Sequence, residues 1–213
     1  NARREAEAGA RNALELLAVE RHEPHPSMSS DDRSLRNRLR ARGRQLGDRR
    51  DPARSDQEIG RLTHEVAYEQ WHRMLFARFL AENGVLVEPE SGVSITVEEC
   101  EELARELGVD PHALAAQFAQ EILPGVFRGG DPVLDVILAP ETRQALQRLL
   151  DDLPSVVFTA DDSLGWTYQF WQNESKDAVN ASGEKVGADE LPAVTQLFTE
   201  PYMVEFLLHN TLG

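Results

Sequence analysis

The chain has 213 residues, and its hydrophobic share of 41% suits a globular protein of one large or two small domains; no apolar run is long enough for a membrane span. The net charge of −15 is uneven: residues 1–54 hold 13 arginines against 9 acids, a balance of +4, and the rest holds 9 basic and 28 acidic groups, a balance of −19. An acidic body argues against wrapping nucleic acid by itself, because phosphate binding needs cations that displace counterions, so any contact with DNA falls to the N-terminal region.

Residues 2–20 are charged and amphipathic, without the apolar core of a signal peptide. Ala6, Ala10, Ala13, Leu14, Leu17 and Ala18 repeat at three and four, which predicts a helix. His22-Glu23-Pro24-His25-Pro26 ends it, since two close prolines cannot continue a helix. The two histidines have no Cys or further His nearby at ligand spacing, so the stretch reads as a solvated loop and no metal site is expected.

Ser30-Asp31-Asp32-Arg33 opens a second helix to about Leu46, with acids at the positive end of its dipole. Leu35, Leu39 and Leu46 mark a narrow apolar stripe. Arg33, Arg36, Arg40 and Arg44 share a neighbouring face and are the candidate DNA-binding residues, because guanidinium forks match phosphate oxygens. The competing reading is a solvated face paired with acids, as no aromatic or base-reading side chain accompanies them.

Ser55-Asp56-Gln57-Glu58 has the form of a capping box and predicts the start of the longest helix, to about Asn83, with Gly84 in the left-handed conformation. Apolar residues cover more than one face of its later half, which predicts central burial. His64 and His72 are not i, i+4 partners, so a zinc pair is not expected. Val85 to Thr96 reads as a small hairpin around Pro89–Gly92. Thr96 and Glu99 form a capping box for a helix ending near Gly108, and Asp110-Pro111 begins another, to Ile122. That second helix has no Arg or Lys, which leaves a groove-reading role without support.

Residues 124–130 form a break, followed by short helices from Pro132 to Leu138 and from Pro140 to Leu153. Thr159, with Asp162 three residues on, is expected to cap a helix carrying Leu164, Trp166, Tyr168, Phe170 and Trp171. Dense aromatics there serve a core or base stacking. The single Cys100 excludes an internal disulfide and fits a reducing cytoplasm. The expected fold class is mainly α, an irregular multi-helix domain with at most one small β-hairpin.

The final stretch, Thr195-Gln196-Leu197-Phe198-Thr199-Glu200-Pro201, leads into a helix whose Tyr202, Met203, Phe206 and Leu207 are spaced to bury one face. Thr199 stands where an N-cap belongs. Thr-Gln-Leu-Phe-Thr, one residue, then Pro and an apolar helix resembles the segment just upstream of the S-adenosylmethionine fold in class I adenine-specific DNA methyltransferases. The large enzymes of phage-defence and combined restriction–modification systems are the nearest likeness. Leu164 to Trp171, and Trp71 to Phe79 less specifically, resemble the same family. This sequence departs in one place, where Glu200 separates Thr199 from Pro201.

The resemblance implies that Gln196, Phe198 and Thr199 lie at the cofactor, with the Phe-Thr-Pro turn closing over the methionine end of S-adenosylmethionine. It also implies what should follow: a strand ending in an Asp/Asn-Pro-Ala-x-Gly-x-Gly loop, then an Asn-Pro-Pro-aromatic loop. Neither occurs by Gly213. The chain is therefore expected to be an N-terminal piece that stops short of a Rossmann-like methyltransferase domain, inactive alone and with no catalytic residue of its own. The division expected is an Arg-rich helical arm (1–54), a helical domain (55–190), and the cofactor-closing motif (191–213). The expected whole is a cytoplasmic DNA N6-adenine methyltransferase that acts on DNA. The alternative is a non-enzymatic helical module that docks a protein partner in a defence complex. A hydrolase lacks a recognisable nucleophile or metal constellation.

Overall fold

A computed structural model describes residues 1–125, 127, 129–160, 162–182, 199 and 201–211. The fold is mainly α, with one two-stranded antiparallel sheet among the described residues. Two compact units divide the chain, Asn1–Pro154 and Ser155–Gly213.

In the first unit α1 (Ala2–Leu16) buries Ala6, Gly9, Ala10, Ala13 and Leu14. Small residues let its backbone approach its neighbours, and it packs on α3 (Gly60–Glu82) and α6 (Pro140–Asp151). The approach is closest at Gly9, where an added Cβ would lie 2.4 Å from Thr142 Cγ2 and 2.9 Å from its Oγ1. The second helix, α2 (Ser30–Gln45), starts at Ser29, whose side chain accepts from Asp32 N. It packs on α3 and on the 3-10 turn Pro132–Asp135. Arg42 ties these layers together, 2.7 Å from Glu65 and 3.1 Å from Asp131.

The centre of the unit is α3. Leu75, Phe76 and Ala77 are buried in succession, with Leu62, Val66, Trp71 and Leu80. Consecutive burial means that neighbours surround the helix, as its all-round apolar later half predicts. Its start differs from the expectation. The helix begins at Gly60, not at the Ser55–Glu58 box, and Ser55 has a positive φ of 62°. Gln57 instead pairs with Arg50 in an isolated bridge, and Gln57 N donates to Glu20 O at 2.7 Å. The cap comes from Asp48, whose carboxylate accepts from Arg61 N at 2.9 Å and Leu62 N at 3.1 Å. A buried carboxylate satisfies the open donors and complements the helix dipole better than a strained serine could.

After Gly84, left-handed as expected with φ 68°, β1 (Val87–Glu88) and β2 (Val93–Ser94) pair as Val87↔Ser94 and Glu88↔Val93. Thr96 and Glu99 make the full capping box of α4 (Val97–Leu107), which Gly108 closes at φ 68°. Asp110 then accepts from Ala113 N to open α5 (Pro111–Ile122). A ring cluster of Tyr68, His72, Phe76 and Phe127 anchors the following turn against α3.

The second unit holds α7 (Ser155–Thr159), α8 (Ser163–Ser182) and α9 (Pro201–Thr211). Thr159 does not cap α8: it is the last residue of α7, and its hydroxyl donates to Ser155 O. Asp162, with φ 61°, makes the turn into α8. Phe158 and Trp171 are buried, while Phe170 is 69% exposed. The dense aromatics thus divide between core and surface. No described helix is long and apolar enough to cross a membrane.

Candidate functional site

The four arginines proposed to face phosphate do not share one outward surface. The buried side of α2 is Arg36, Leu39, Arg40 and Gly43, an i, i+3, i+4, i+7 spacing that turns two cations into the unit. Arg36 donates from Nε to Ala18 O at 3.0 Å, and from Nη2 to His22 O at 3.0 Å and to Arg21 O. Arg40 donates from Nη1 to Val19 O at 2.6 Å and to Arg21 O, and from Nη2 to Ser55 O at 3.0 Å. All of these carbonyls except Ser55 O, which lies ahead of α3, belong to the chain leaving α1, where Ala18 has a φ of 50° and no regular ladder supplies donors. Two planar forks, each with five N–H groups, satisfy them.

Burial pushes the pKa of Arg36 below its ordinary value. Burial does the same to Arg40, and repulsion from Arg36, Arg44 and Arg50 adds to it against the attraction of Asp56. Arg44 stands exposed and donates to Gln57 Oε1 at 3.0 Å, while Gln57 returns a bond to Arg40 O. Arg33 is exposed and closes the loop ahead of its own helix through Met28 O and Pro26 O.

Of the residues expected at the cofactor, Gln196 and Phe198 lie outside the described residues. Thr199 is described and exposed, two positions before the first residue of α9. The helix expected after the motif is present. Its apolar side chains are not covered, contrary to expectation: Tyr202 is 64% exposed and Phe206 66%. Within the described residues of this unit, nothing packs over that face.

No group of three or more His, Cys, Asp or Glu that could hold a metal occurs among the described residues. Cys100 is buried, and desolvation, helped by Glu101, pushes its thiol up to about 11, so it is poorly suited to nucleophilic chemistry. Residue-type patterns gave no hint of a cleft of about 500 Å³ lined by α3, α5, α6 and the segment before α6. Its polar residues, Gln70, Arg73, Asp110, Arg143, Gln144 and Gln147, come from two helices and the turn before α5, so no local motif announces them.

Two curated proteins are similar to this chain. Adenine-specific methyltransferase PglX of Lacticaseibacillus casei (strain Zhang) is 28% identical over 192 residues, covering 71% of this chain and 16% of the relative. Adenine-specific methyltransferase BrxX of Escherichia coli O9:H4 (strain HS) is 35% identical over 94 residues, covering 43% of this chain and 8% of the relative. This chain is homologous to part of the adenine-specific methyltransferases. It spans less than a fifth of the length of either methyltransferase it matches. No protein-family model matches it, and no solved structure does.

Proposed function

We propose that the chain is the N-terminal helical part of a DNA N6-adenine methyltransferase of a phage-defence or restriction–modification system. The observation that carries this reading is the partial homology to two adenine-specific methyltransferases, one of them over 71% of this chain. In the longer enzyme the methyl group passes from S-adenosylmethionine to the adenine amino group, and the base leaves the DNA stack to reach it. The helical unit 1–154 serves as a buttress for the catalytic domain. Gln196, Phe198 and Thr199 form the turn over the amino-acid end of the cofactor, where backbone N–H groups at the start of α9 favour a carboxylate. The exposed apolar side of α9 supports this placement, since it offers a surface for a following domain. DNA contact through α2 falls to the exposed Arg33 and Arg44, because Arg36 and Arg40 are committed to the α1–α2 connection.

Cofactor titration of the longer enzyme tests the reading. Thr199→Ala and Phe198→Ala should raise the KM for S-adenosylmethionine while the protein stays folded. Unchanged cofactor affinity in both variants would remove this turn from the site. The same exposed face of α9 favours a second reading, a module that docks a protein partner. A longer protein that binds no S-adenosylmethionine yet pulls down a defined partner through α9 would decide for it.

A further inference from the structure

We propose that the end of α2 and the hairpin of residues 49–58 form a surface that grips the phosphate backbone of duplex DNA through Arg44 and Arg50. The choice of ligand rests on the methyltransferase reading; the surface itself rests on packing and charge.

Gln57 joins the two halves of the surface. It is buried, its Oε1 accepts from Arg44 Nη1 at 3.0 Å, and its Nε2 donates to Arg40 O at 3.0 Å. Its backbone pairs with Arg50 across the hairpin. The halves meet so closely at Gly43 that an added Cβ would lie 2.8 Å from Gln57 Nε2. Beyond the bridge, Asp51 N donates to Asp56 O and Ser55 N to Asp51 O, both at 2.8 Å. Arg40 Nη2 holds Ser55 O from below. Arg44 and Arg50 are both exposed on this frame, and a frame ordered beforehand lowers the cost of binding.

Charge separates the arginines of this region into two kinds. Arg38 lies 2.8 Å from Asp135, and Arg42 lies 2.7 Å from Glu65 and 3.1 Å from Asp131. Among the described residues, no carboxylate makes an ion pair with Arg36, Arg40, Arg44 or Arg50. Arg36 and Arg40 bond neutral carbonyls, which leaves their charge uncancelled. The acids of the hairpin turn to backbone N–H groups instead: Asp51 accepts from Ala53 N and Arg54 N, Asp56 from His22 N, and Glu58 from Arg49 N. Arg40 is repelled by Arg36, Arg44 and Arg50 and attracted by Asp56. This local excess of cations calls for an anion, and planar forks on two adjoining segments suit phosphate oxygens. The acidic remainder of the chain does not cancel it, since exposed charges more than about 10 Å away are largely screened at about 0.1 M salt.

The test is fluorescence anisotropy of a labelled DNA duplex titrated with the 213-residue chain over a series of salt concentrations. Two phosphate contacts predict a slope of about −1.8 for log K against log salt. Arg50→Gln, at an exposed side chain, should weaken binding about fivefold and bring the slope to about −0.9, with the helical circular dichroism unchanged. The Arg44→Gln/Arg50→Gln double variant should lose saturable binding, whereas Arg38→Gln, whose arginine is already paired, should bind as the parent does. No saturable binding by the parent would overturn the proposal, as would parental affinity and slope in the folded double variant. Poly-L-glutamate competing as well as duplex would assign the surface to an acidic protein and overturn it too. Methyl transfer by the longer enzyme is measured separately: if it occurs while the double variant binds duplex like the parent, this surface fails and the methyltransferase reading stands. Duplex binding through Arg44 and Arg50 in a protein without methyl transfer would keep the surface and remove that reading.

Discussion

Arg40→Met should cost the first unit about 3 kcal/mol of stability. Methionine keeps most of the unbranched stem, so packing is largely preserved and the loss isolates the guanidinium. That group serves Val19 O, Arg21 O and Ser55 O. Hydrogen bonds from a charged donor contribute roughly 1.5–3 kcal/mol each, and a buried carbonyl left without a donor costs roughly 1–3 kcal/mol. Against this, the folded variant no longer carries a desolvated cation, whose burial already depresses the arginine's pKa. The balance falls at the lower end of the roughly 3–5 kcal/mol seen when one partner of a buried charged pair is removed. For a domain of this size the loss corresponds to a drop in Tm of about 6–12 °C. Urea titration followed by helix circular dichroism measures it. Arg33→Ala, on the exposed end of the same helix, should shift stability by no more than about 0.5 kcal/mol. An Arg40→Met protein as stable as the parent would refute the structural role. If it also lost DNA affinity, Arg40 would be a phosphate contact after all.

Three further outcomes follow from the packing. Asp48→Ala should destabilise by about 2 kcal/mol, the upper range for losing an N-cap, because Leu62 N is buried and would lose its acceptor; denaturant titration reads this, and Asp48→Asn, which keeps one acceptor, should lose less. Gly9→Ala should cost about 1–3 kcal/mol by overpacking, since the new methyl meets the stiff, buried Thr142; Thr142→Ser, which removes Cγ2, should recover part of the loss in the double variant. Burial lowers the pKa of His72, so protonation disfavours the native state. The stability this residue contributes is full above its unfolded value of about 6.5 and is lost as pH falls through that value toward the folded pKa; His72→Phe should flatten that part of the stability–pH curve.

Local chemistry carried much of the fold into the sequence. Thr96 with Glu99, Gly108, and Asp110 with Pro111 signal helix ends through atoms a few residues apart, and each works as expected. The start of α3 was illegible because its capping carboxylate sits 13 residues before Arg61. The Ser55–Glu58 pattern has the letters of a box, but its backbone is drawn into pairing with Arg50 and with Glu20 O. The direction of Arg36 and Arg40 was hidden for a different reason. Hydrophobic periodicity counts arginine as polar, although both flank the one buried leucine of α2. The available signal was the proline-broken segment before α2, whose carbonyls needed donors. Long-range assembly alone creates the Arg73–Arg143 cleft, which no spacing rule could reveal. The partial homology rests on the aligned chain, whereas the expected cofactor residues Gln196 and Phe198 fall outside the described residues.

The measurement closest to the central claim is the adenine methylation of DNA in cells that carry or lack the gene for this chain. Single-molecule sequencing should find N6-methyladenine at one defined DNA motif in carriers. Deletion should erase it, and restoring the intact gene should return it. An adenine methylation pattern that does not change on deletion, in cells shown to express the protein, would contradict the account.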